Sequence, residues 1–164
     1  MGTFLKGVKE DAAKWIFTND YLQLFNECIV DPDLTLKQCI LSSCGEIAKN
    51  CPSILKGCFT QIAPHLYDHL VLTSEQYGPG QMIMACCNNS AWALGELAMA
   101  YPDEVAPAVG EFTTKICQLL NGNEKVTMIR FNSYRIAPQD PSSKSLYLLR
   151  KTWIGQCSCC CSAS

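Results

Sequence analysis

Gly45-Glu46-Ile47-Ala48, followed by Pro52, recurs as Gly95-Glu96-Leu97-Ala98, followed by Pro102, at an offset of 50 residues. Apolar positions downstream keep the same register: Phe59 with Val109, Ile62 with Phe112, Leu66 with Ile116, and Leu70 with Leu120. A fixed period with helical spacing inside it marks a stacked repeat, whose units bury their apolar faces only against one another. The self-match therefore predicts an all-α chain.

Each unit reads as two helices. The first spans residues 20–29, with Tyr21, Leu24, Phe25, Cys28 and Ile29 at helical spacing. It ends in Val30-Asp31-Pro32-Asp33, where Pro fixes the backbone and Asp caps the next helix. The second, over 34–50, presents Leu36, Ile40, Cys44, Ile47, Ala48 and Cys51 along one face. The next pair is expected over 53–72 and 81–100, and a last helix over 104–120 has no partner. The Asp-Pro-Asp turn, the Leu36-Lys37 pair and the Gly-Glu-Ile-Ala run together resemble the HEAT repeat. Its turn carries Asp, and its second helix opens with an apolar residue and a basic one. The resemblance implies a HEAT-repeat α-solenoid of about two and a half repeats, whose usual unit is roughly 40–47 residues. The loop Thr73-Ser-Glu-Gln-Tyr-Gly-Pro-Gly80, with two Gly around a Pro, accounts for the longer period.

The length of 164 residues suits about one domain, and a hydrophobic content of 48% suffices for a core. Apolar runs are interrupted well before membrane-spanning length, so no membrane segment is expected. The N-terminus lacks the apolar stretch of a secretory signal, so the 12 cysteines read as reduced, mostly buried thiols. Charge divides the chain. Residues 1–122 hold seven Lys and no Arg against 13 Asp or Glu, a net of −6 that repels nucleic acid and attracts basic partners. Residues 123–164 hold six Lys or Arg against Glu124 and Asp140, a net of +4. This segment lacks helical periodicity and is expected to be an irregular, disordered tail, the product of an altered reading frame or unspliced sequence. Its Cys157-Ser-Cys-Cys-Cys161 run does not match paired zinc-ligand spacing, and Cys161-Ser-Ala-Ser164 lacks the aliphatic middle of a prenylation signal.

The second helix of the second unit carries two stripes. Ile83, Cys87, Ala91, Leu94, Leu97, Ala98 and Tyr101 form the packing stripe. Met84, Asn88, Trp92 and Glu96, spaced four apart with Asn89 alongside, form another. Amides that grip a peptide backbone, a flat indole and a carboxylate that attracts Lys or Arg suit a peptide-binding surface. Trp92 packed between repeats is the competing reading, and the two part on whether its ring is open to solvent. Glu46, one period before Glu96, adds a second acidic group.

Cys87-Asn88-Asn89-Ser90-Ala91-Trp92-Ala93-Leu94-Gly95-Glu96 resembles the Cys-Asn-Asn-x-x-Trp-Ala-Ile-Gly-Glu run of transportins, nuclear import receptors of the importin-beta (karyopherin-beta) family. The likeness covers residues 20–121 and lies near the family's C-terminal cargo-binding arch. It implies cargo proteins with basic or proline-tyrosine nuclear localisation signals as partners, and residence in cytoplasm and nucleus. By the resemblance Trp92 packs against the N-terminal part of the signal, Asn88 and Asn89 bind its backbone, Met84 is an aliphatic contact, and Glu46 is an acidic one. The family also engages nucleoporins and the GTPase Ran; the Ran site and the site for the proline-tyrosine end of the signal are expected to lie outside this chain.

No phosphate loop, nucleophile motif or carboxylate pair is present, and Cys86-Cys87 lacks a placed His, so neither an enzyme nor a cofactor is expected. His65 and His69, four apart with only Asp68 beside them, read as surface residues rather than metal ligands. The alternative to an import receptor is a generic HEAT scaffold for another protein, or a truncated product without function.

Overall fold

The turn Asp31-Pro32-Asp33 sets the first helix pair. Asp31 Oδ1 accepts the Asp33 N–H and Asp33 Oδ1 accepts the Thr35 N–H, both at 2.8 Å, so the chain reverses and starts a new helix in one step. The computed structural model describes residues 20–75 and 77–121, and among them no strand occurs. Five helices result: α1 (Asp20–Val30), α2 (Leu34–Asn50), α3 (Phe59–Asp68), α4 (Pro79–Ala100) and α5 (Val109–Asn121). Consecutive helices alternate in direction. Tyr21, at the start of α1, meets Ser43 late in α2: the Tyr21 hydroxyl lies 2.9 Å from Ser43 Oγ, which itself donates to the Ile40 carbonyl at 2.8 Å.

The period of 50 is written into the backbone as well as the side chains. α2 leaves through Cys51 (φ −142°, ψ 56°) and α4 through Tyr101 (φ −136°, ψ 62°). Each of these residues donates its N–H back, to Ile47 or Leu97, at 2.8 Å, and each precedes a proline that opens a short helical turn. Between them, α2 and α4 form the most extensive helix contact among the described residues. Cys86 Sγ lies 3.6 Å from the Leu34 carbonyl, Asn89 donates to the Gln38 carbonyl at 3.0 Å, and the Tyr101 hydroxyl reaches the Pro52 carbonyl. Both numbers rise together along the seam, so these second helices run in the same direction, side by side. The first helices make a matching layer: Phe25 meets His65 edge-on, and Phe112 packs against both Phe59 and Tyr67. Phe25, Ile29, Leu41, Ile47, Leu55, Ile62, Leu66, Leu94, Leu97 and Ile116 fill the core between the layers.

Several expected boundaries and faces move. The helix expected over 53–72 is a 3-10 turn, Pro52–Leu55, and then α3 from Phe59. Between them Gly57 adopts φ +75°, which a continuing helix cannot accommodate. The helix expected over 104–120 is one turn, Pro102–Val105, a 3-10 turn, Ala106–Ala108, and α5, because Pro107 has no N–H to offer. Leu24 and Leu36, read as core positions, are 45% and 36% exposed. Leu24 lies at the margin of the α1 stripe. Leu36 lies in the first turn of α2, and Leu41 is the buried leucine instead. His65 and His69 are half-buried rather than on the surface, and His69 Nδ1 lies 2.8 Å from the His65 carbonyl. The expectations for residues 123–164, including the boundary at 122, fall outside the described residues. Among the described residues no helix is long and apolar enough to cross a membrane.

Candidate functional site

α4 is the longest helix, started by Pro79 at its first position and carried through 22 residues. A helix that long places residues four apart on one line, so Met84, Asn88, Trp92 and Glu96 share a face as their spacing predicts. The first three are half-buried. Glu96 is only 6% exposed, and its Oε1 accepts the indole N–H of Trp92 at 2.9 Å. The indole is thus held at its nitrogen by the residue one turn on.

The other edge of the ring is held by what is missing from α2. A Cβ at Gly45 would stand 2.7 Å from Trp92 Cε3 and 2.8 Å from Cζ3, closer than carbon atoms approach. Glycine at this position lets the ring lie directly on the α2 backbone. The neighbouring Glu46 is half-buried and faces Asn50, whose Nδ2 donates to Glu46 Oε2 at 3.0 Å and to the Glu46 carbonyl at 2.8 Å. Asn89 is also half-buried, and its amide donates across the seam to Gln38.

Of the six candidate residues, Met84, Asn88, Asn89, Trp92 and Glu46 are half-buried and Glu96 is buried. Trp92, Glu96, Asn89 and Glu46 each commit a polar atom to a contact within the chain. Together they offer an indole, amides and carboxylates, which suits non-covalent recognition of an extended, basic peptide. The spacing in α4 identified the stripe. Gly45 was legible only as a repeat marker, because the ring it accommodates comes from another helix.

The thiols beside the stripe are poorly suited to nucleophilic chemistry. Burial pushes Cys44 and Cys87 up to about 12, and burial likewise raises Cys86. A thiol held protonated is a weak nucleophile at neutral pH. Cys28, Cys39, Cys44, Cys51, Cys58, Cys86 and Cys87 are free thiols, and among the described residues no group of three or more His, Cys, Asp or Glu is arranged to hold a metal ion.

No family model matches the chain, and no solved structure matches it. Individual curated proteins do. The chain is 25% identical to Transportin-1 of Oryza sativa subsp. japonica over 100 residues, 60% of this chain and 10% of that protein. It is 33% identical to Transportin of Dictyostelium discoideum over 67 residues, 40% of this chain and 7% of that protein. With Transportin-1 of Homo sapiens it shares 20% over 116 residues, 71% of this chain and 12% of that protein. The chain spans about a tenth of the length of the curated relatives it matches. This helical region is distantly similar to transportins.

Proposed function

We propose that the chain is a HEAT-type solenoid segment of a transportin-like nuclear import receptor, and that it binds the basic part of nuclear localisation signals without covalent chemistry. In this reading the signal lies along the α2–α4 seam. Its apolar side chains rest on Trp92 and Met84, Asn88 serves its backbone, and Glu46 attracts its Lys or Arg. Asn89 and Glu96 belong to the same site from behind, Asn89 tying α4 to α2 and Glu96 aiming the indole. The parallel placement of α2 and α4 at a period of 50 supports the solenoid, and the similarity to transportins supports the receptor and its passage between cytoplasm and nucleus. The observation that carries the site is the half-open indole of Trp92, fixed at its nitrogen by Glu96 and backed by Gly45.

A generic protein scaffold is the second reading. The low exposure of Glu96 and the use of Asn89 in helix packing favour it. Binding of a fluorescent basic proline-tyrosine signal peptide to the full chain decides between them. The receptor reading expects binding that weakens with salt and falls at least about tenfold in Trp92→Ala, as for a central aromatic anchor. A folded wild-type chain that ignores the peptide would leave the scaffold.

A further inference from the structure

A second concave surface lies in the layer of first helices and shares no residue with the Trp92 seam. It is a cleft of about 410 Å3 between α3 and α5. Phe59 and Phe112, both buried, form its floor, and half-buried Tyr67 stands edge-on to Phe112 with ring centres 5.7 Å apart. Asp68, Glu104 and Glu111 line the same cleft. Glu104 is partly committed, since its Oε1 accepts the Gly57 N–H at 3.2 Å. The exposed Asp68 and Glu111 carboxylates make no hydrogen bond or ion pair among the described residues.

One cation already uses this chemistry. Lys115 Nζ lies 4.3 Å from the centre of the Tyr67 ring, an ammonium over a π-face. Among the described residues, three carboxylates against that single ammonium leave the cleft negative. Nothing in residues 20–121 supplies the group that would match it best, because this stretch contains no arginine. A guanidinium is planar, stacks on aromatic surface and forks onto carboxylates, whereas an ammonium acts as a compact point charge. We infer that the cleft between α3 and α5 is a docking site for an arginine side chain of a partner polypeptide. The guanidinium lies beside the half-buried Tyr67, with Asp68 and Glu111 as its carboxylate partners. This inference does not depend on the reading of the Trp92 seam.

The test titrates the full chain with a fluorescein-labelled heptapeptide carrying one central arginine between glycine and leucine residues, beside its lysine and citrulline versions, at fixed ionic strength. The arginine peptide is expected to bind at least about fivefold more tightly than either, with Asp68→Asn and Glu111→Gln each removing most of that difference. Both carboxylates are exposed, so these variants keep the fold, and a circular dichroism spectrum checks it. Glu27→Gln, exposed on α1, is expected to leave the arginine preference unchanged. Equal binding of the three peptides overturns the proposal, as does an equal loss in Glu27→Gln, which would mean that general acidity attracts the peptide. Tighter peptide binding after Arg130, Arg135 and Arg150 are replaced together by Gln would also overturn it, since the chain's own arginines would then fill the cleft.

Discussion

Ser90 and Ser43 are both buried hydroxyls on the second helices, yet they stand in opposite conditions. Ser43 donates to Ile40 and contacts Tyr21, while Ser90 Oγ has no hydrogen-bond partner among the described residues. A buried polar atom without a partner lowers stability, and removing it is neutral or better. Ser90→Ala is therefore expected to leave the thermal midpoint unchanged or raise it, by up to about 1 kcal/mol in stability. Ser43→Ala removes the hydroxyl that meets Tyr21 and is expected to cost about 1 kcal/mol; calorimetry on the two variants separates the cases. Gly45→Ala is the sharper probe. Better helix propensity would favour it by about 1 kcal/mol, but the added methyl strikes the Trp92 ring. Displacing that ring costs about 1–3 kcal/mol and breaks its bond to Glu96. The indole N–H signal of Trp92 in an NMR spectrum, assigned with Trp92→Phe, should shift. The four-residue spacing in α4 made the stripe legible in the sequence. The low exposure of Glu96 was not, since burial depends on which helix lies opposite.

At the scale of elements, apolar periodicity found all five helices, and their ends were decided by single residues. Asp33 was legible as a cap because Asp before an apolar run has one local use. Asp33→Ala is expected to cost about 1 kcal/mol, lowering the urea midpoint without changing the slope of the transition. The starts of α3 and α5 were harder to read, because helical periodicity runs straight through Gly57 and Pro107 while the backbone does not. The cleft between α3 and α5 was not legible either. Phe59 and Phe112 are core positions by spacing, and only the packing of α5 beside α3 turns them into a floor.

Across the whole molecule, burial of cysteine couples stability to alkaline pH. Cys44 and Cys87 rise from 9.0 to about 12 in the folded chain, and desolvation is the main cause for both. Between those values the unfolded chain has lost protons that the folded chain keeps, so stability is full below the ordinary thiol value and declines as pH climbs toward 12. Urea midpoints measured from pH 8 upward should fall, and a Cys44→Ala, Cys87→Ala double variant should fall less steeply. A decline of equal slope in the variant would assign the effect to other groups.

The indole seated on Gly45 acts as a shim between two parallel helices. In a row of stacked pairs each seam contributes a small rotation, and the rotations add along the row. In the proposed solenoid the thickness of one side chain therefore helps to set the pitch. Trimming Trp92 would re-aim the far end of such a row as well as remove a surface from the near one.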